Sequence, residues 1–117
     1  MTEAHRISIH VLDQSQGRPA EGIPVTLEIR GLTGLWKQLG QGRTDADGRS
    51  VDLYPAGLRM QTGTYRLTFD VAGYFRKRNV AAFFPEVAVV FAVQDVTQSY
   101  HIPLLLSPFG YSVYRGS

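Results

Sequence analysis

Two histidines stand where a strand would hold them away from a core. Ile7, Ile9 and Val11 alternate with Ser8 and His10, and Tyr100, Ile102, Leu104 and Leu106 alternate with His101, Pro103 and Leu105. In an extended chain each imidazole then projects from the face opposite the larger apolar row. An imidazole with an ordinary pKa of about 6.5 exchanges protons near neutral pH, which suits general acid or base work. Arg49, just after Gly48, carries a permanent charge and a planar fork of donors, but its function cannot be read from its type. In the last run Ser112, Tyr114 and Gly116 share one parity, and Ser117 follows them. If these outer faces meet at an interface, they form a cleft lined by imidazoles, a phenol and the chain end. Taken singly, each residue has a plain structural reading: a hydrogen-bonded histidine, a solvated turn arginine, a strand tyrosine, a frayed tail.

A metal site is the competing use of His10 and His101, with His5 as a third imidazole. The sequence holds no His-x-His or His-x₃-His pair, no cysteine and no acidic residue at motif spacing to either histidine, so neither metal nor cofactor is expected. A serine nucleophile system is equally weak without a Gly-x-Ser-x-Gly elbow. The net charge is +2, and ten of the twelve basic residues are arginines scattered from Arg6 to Arg115. No nucleic-acid partner is expected, since tracking phosphates takes clustered positive charge. The strongly apolar stretch Val87 to Val93 is too short for a bilayer, which takes about 20 residues as a helix. Met1 to Arg6 lacks the basic start and apolar stretch of a secretory signal, and a cytoplasmic protein is expected.

The elements that must position these groups are strands. A chain of 117 residues with 44% hydrophobic and 19% charged residues fits one domain, residues 1–117, able to bury a core. Val25, Leu27 and Ile29 alternate with Thr26, Glu28 and Arg30; Tyr65, Leu67, Phe69 and Val71 alternate with Arg66, Thr68 and Asp70. Further strands are expected over Leu35 to Arg43, Arg49 to Leu53, Val87 to Val93, Ser99 to Ser107 and Tyr111 to Arg115. Turns fall at Asp13 to Pro19, at Thr44 to Gly48 and at Pro108-Phe109-Gly110, and Ala72 to Arg78 suits one or two turns of helix. About eight strands at this spacing predict an all-β chain of two packed antiparallel sheets. The run Val87 to Val93 is apolar on both faces, more than one sandwich core absorbs, and predicts a subunit interface.

Five ordered segments carry a resemblance. Ile9-His10-Val11-Leu12-Asp13 with Gly17-Arg18-Pro19-Ala20, Arg43-Thr44-Asp45-Ala46-Asp47-Gly48-Arg49, Phe84-Pro85-Glu86-Val87, Tyr100-His101-Ile102-Pro103 through Pro108, and the terminal Tyr114-Arg115-Gly116-Ser117 resemble the 5-hydroxyisourate hydrolases of the transthyretin-like family over nearly the whole chain. The resemblance implies a sandwich of two four-stranded sheets with one short helix, assembled as a homotetramer, a dimer of dimers. It also implies active sites between dimers, where His10, Arg49, His101 and the terminal tetrapeptide meet. Ser99 stands where such hydrolases often carry a histidine, and by parity it shares a face with His101.

The implied reaction is metal-independent hydrolysis of 5-hydroxyisourate to 2-oxo-4-hydroxy-4-carboxy-5-ureidoimidazoline in urate degradation. His101 and His10 would share water activation and proton delivery, with His101 favoured as base, while Arg49 positions substrate and stabilises developing charge. Tyr114 would contact the substrate ring and Ser117 the water network. A transthyretin-like carrier of small ligands and a non-catalytic interaction module are the alternatives; binding of iodinated thyronines, or failure to consume 5-hydroxyisourate, would select them.

Overall fold

The computed structural model describes residues 6–117, so His5, the third imidazole of the competing metal reading, lies outside the described residues. The period-two runs become strands: β1 (Ile7–Asp13), β3 (Pro24–Arg30) and β6 (Gly63–Asp70) each bury alternate residues. Between and after them lie β2 (Arg18–Pro19), β4 (Trp36–Arg43), β5 (Arg49–Ser50), β7 (Glu86–Val93), β8 (Tyr100–Ser107) and β9 (Gly110–Val113). One short helix, α1 (Ala72–Arg76), follows β6.

One sheet has the order β4-β3-β6-β7. The other has the order β2-β1-β8-β9, with β5 pairing β1 beyond the end of β2. The implied pair of four-stranded sheets therefore gains a fifth, two-residue strand. The inner faces meet in a core that includes Ile9, Val11, Leu27, Leu67, Phe69, Leu104 and Leu106, all at most 1% exposed. Each such side chain contributes about 1.5–3 kcal/mol relative to exposure.

Three expectations need correction. The sheets are not wholly antiparallel, because β1 and β8 run parallel over seven paired residues from Ile7↔Tyr100 to Asp13↔Leu106. Strands this far apart in sequence are not joined by a hairpin, so no turn forces the antiparallel sense. The strand expected over Arg49 to Leu53 stops at Ser50, since the chain then leaves β1 and buries Leu53 against β4. A Cβ at Gly40 would collide with the Leu53 carbonyl, which accounts for glycine there. The last strand ends at Val113, and the tail rejoins the sheet through a single antiparallel bridge, His101↔Gly116.

On β7, Val87 and Val93 enter the core while Ala88, Val90 and Ala92 face outward, Val90 at 57% exposure. This strand is a sheet edge within the chain. Among the described residues no helix is long and apolar enough to cross a membrane.

Candidate active site

The outer face of the β1–β8 sheet collects the groups that parity set aside. Because β1 and β8 pair in parallel, Ser8 lies opposite His101 and His10 opposite Pro103. The two imidazoles are thus diagonal neighbours on adjacent strands, and their ring centroids are 6.5 Å apart at 37°. On the other side of β1, Arg49 of β5 is the register partner of His10. Beyond β8, Gly116 of the tail pairs with His101. Arg49, His10, His101 and Gly116 therefore form a row across the sheet.

The turn before β5 explains how Arg49 is held. Asp45 Oδ1 accepts from the amides of Asp47 and Arg49, each at 2.9 Å. Thr44 Oγ1 donates to the Ala20 carbonyl and accepts from the Ile23 amide. Gly48 has φ +76°, and a side chain there would strike the Val11 carbonyl, so glycine closes the turn against β1. The same turn presents the Asp47 carbonyl to His10 Nε2 at 2.9 Å. A carbonyl only accepts, so His10 carries its proton on Nε2.

His101 Nδ1 lies 2.8 Å from Ser8 Oγ. Burial pushes the His101 pKa below the usual imidazole range, and the charge of Arg49, followed by the neighbouring His10, pushes it further the same way. The ring is therefore neutral near neutral pH and able to accept a proton. Arg49 is exposed, and among the described residues no carboxylate pairs with it.

The remaining expected residues divide. Gly116 donates its amide to the His101 carbonyl at 2.7 Å, and Ser117 follows it directly in the chain. Tyr114 is 56% exposed and lies beside Pro103, its amide 3.4 Å from that carbonyl. It helps line a cavity of about 170 Å³ with Phe91, Ile102 and Arg115, and its ring stacks on neither imidazole. Ser99 is exposed, just ahead of β8. Sequence reasoning missed Ser8 and the Asp47 carbonyl as imidazole partners; shared parity with His10 was the available signal for Ser8.

The fold and the site define a small β-sandwich protein with two imidazoles and a free guanidinium arrayed on one outer sheet face. A model of the HIUase/Transthyretin family matches residues 7–116, and the chain belongs to that family. It is 45% identical over 111 residues to a 5-hydroxyisourate hydrolase of Salmonella typhimurium, covering 95% of this chain and 80% of that one. Among solved structures, the 5-hydroxyisourate hydrolase of Klebsiella pneumoniae superposes with a TM-score of 0.82 at 32% identity, covering 95% and 97% of the two chains. Sea bream transthyretin in complex with thyroxine superposes with a TM-score of 0.88 at 28% identity, covering 95% and 94%.

Proposed function

We propose that this protein hydrolyses 5-hydroxyisourate to 2-oxo-4-hydroxy-4-carboxy-5-ureidoimidazoline, a step of urate degradation. The observation that carries the reading is the row of Arg49, His10 and His101, with His101 held toward its neutral form first by burial and then by the Arg49 guanidinium. His101 takes a proton from water, and the hydroxide adds to the ring carbonyl carbon beside the imide-like nitrogen. Negative charge then grows on the carbonyl oxygen, where the Arg49 guanidinium stabilises it. The C–N bond breaks, a carboxylate forms, and the leaving nitrogen takes the proton, with His10 sharing in its delivery. Ser117 organises water at the chain end, and Tyr114 contacts the substrate ring.

The protein works as a homotetramer, a dimer of dimers, in which a second subunit closes the open site. The outward Ala88, Val90 and Ala92 on the free edge of β7 support a subunit contact, and a partner would bring Tyr114 over substrate. The carrier reading is weaker, because the chain is 45% identical to a hydrolase and 28% to transthyretin.

The test generates 5-hydroxyisourate with urate oxidase and follows its decay against spontaneous loss. His10→Asn, Arg49→Ala, His101→Asn and a chain ending at Val113 should each slow hydrolysis by at least about a hundredfold, the scale of a positioned acid or base. Decay no faster than the spontaneous rate with the unaltered protein removes the hydrolase reading. Near-normal rates in all four variants remove this site.

A further inference from the structure

We propose that Ser8 is a positioning residue for His101: its hydroxyl accepts from Nδ1–H, so that Nε2 is the nitrogen that takes the proton from water. The proposal rests on the hydrolase reading for its kinetic consequence, although the tautomer itself can be read without turnover.

The pairing is built into the sheet. Ser8 and His101 are register partners near one end of a seven-residue parallel ladder, and Ser8 Oγ lies 2.8 Å from Nδ1. A neutral imidazole has one N–H and one lone pair, and the hydrogen bond at one nitrogen decides which nitrogen keeps the lone pair. Free histidine in water favours the proton on Nε2. That form leaves the lone pair on Nδ1, turned toward β1 and away from any water in front of the sheet. A serine hydroxyl can donate or accept, and only as the acceptor from Nδ1–H does it leave the Nε2 lone pair free for water; that is the direction proposed for the 2.8 Å contact.

The tail constrains the other side of the ring. Gly116 lies against Cδ2, the carbon next to Nε2, and its amide holds the His101 carbonyl. The ring is therefore fixed at Nδ1 and backed at Cδ2, with Nε2 on the remaining edge. When Nε2 gains a proton, both nitrogens must donate, and the serine hydroxyl accepts from Nδ1–H as before. A hydroxyl also adds no charge, unlike a carboxylate partner, which would hold the ring protonated.

The experiment labels the histidines with ¹⁵N and records two-bond ¹H–¹⁵N correlations of the intact protein above the ring's titration, with His101 assigned by difference from His101→Asn. Unaltered protein should show a protonated Nδ1 and an unprotonated Nε2. Ser8→Ala should move the proton to Nε2, and Ser8→Thr should keep it on Nδ1. In the 5-hydroxyisourate assay Ser8→Ala should lower kcat roughly tenfold to a hundredfold, part of what a positioned base supplies, with KM unchanged and kcat restored in Ser8→Thr.

A protonated Nε2 in the unaltered protein overturns the proposal, as does an unchanged tautomer in Ser8→Ala. An altered tautomer with unchanged kcat removes the positioning role and leaves the hydrolase reading intact. If the unaltered protein does not hydrolyse 5-hydroxyisourate, the hydrolase reading fails and the kinetic role of Ser8 fails with it, while the spectra still report the tautomer. Should Ser8→Ala not fold, the spectra of the unaltered protein and of Ser8→Thr decide.

Discussion

Gly116 lies directly against His101. Its amide bonds the His101 carbonyl at 2.7 Å, and a Cβ in its place would stand 2.7 Å from His101 Cδ2 and 3.1 Å from Pro103 Cγ. Its backbone is not in the left-handed region, so the imidazole and the proline, rather than strain, call for glycine. A chain end is ordinarily loose unless something ties it down. Here the Gly116 bridge helps to tie it, beside the Arg115 guanidinium, which donates to Gln98 Oε1 at 2.7 Å and lies 4.6 Å over the Tyr100 ring, and the bridge partner is the proposed base.

Gly116→Ala should therefore separate activity from stability. The added methyl must push away either the ring or the tail, and lifting the exposed tail gives up its bridge and a few surface contacts of Tyr114 and Arg115 without opening the core. The melting temperature should stay close to that of the unaltered protein. The 5-hydroxyisourate rate should fall roughly tenfold to a hundredfold, since a displacement of about 1 Å at a reacting group has that scale. A variant of full activity would show that the tail and ring do not act together.

The charge on Arg49 should be readable in the titration of His101. Burial is the largest influence lowering that pKa, followed by Arg49 and then His10. A base works when deprotonated, so the acid limb of kcat/KM should have its midpoint below about 6.5, the ordinary imidazole value. Arg49→Gln removes a positive charge that disfavours the imidazolium, so the His101 pKa should rise. An NMR titration of the His101 ring in both proteins measures this even if the variant is inactive. An unchanged or lower value in Arg49→Gln would rule out Arg49 as a source of the depression.

How far the sequence was legible depends on whether a feature is local. The alternation in β1, β3 and β6, the turn at Gly48 and the helix over Ala72–Arg76 are set by neighbours in the chain, and all were readable. Parity put His10 and His101 on an outer face, but it names a face and not a partner. Ser8 and His101 are 93 positions apart, and only the parallel ladder, fixed by packing of the whole sandwich, brings them together. Gly40 is needed by the Leu53 segment and not by its own strand. Asp13 read as the start of a turn, yet its carboxylate is 1% exposed, because its partner Tyr74 arrives from α1.

That buried carboxylate gives a stability prediction. Asp13 Oδ2 accepts from Tyr74 Oη at 2.7 Å, and Oδ1 accepts from Ser15 Oγ and from the amides of Ser15 and Gln16. Arg78 lies 3.7 Å over the Tyr74 ring and donates to the Tyr74 carbonyl, while the Tyr74–Asp13 bond secures the helix to the β1–β2 turn. Burial is the largest single influence on Asp13 and opposes its ionisation, but the hydrogen bonds together outweigh it and leave the pKa below the ordinary value. Burial first, and then Asp13, push Tyr74 up to about 12, so it remains a donor across the working range. With its folded pKa depressed, Asp13 contributes stability above the unfolded pKa of about 3.9 and loses it as pH falls through the folded value. Tyr74→Phe removes one donor to a buried charge and should cost about 1.5–3 kcal/mol at pH 7. It should also raise the Asp13 pKa and move acid unfolding to higher pH. Urea unfolding of both proteins at neutral and acid pH checks this, and the gap between them should narrow once the carboxyl is protonated. A gap of the same size at both pH values would assign the loss to packing around the ring instead of the bond to Asp13.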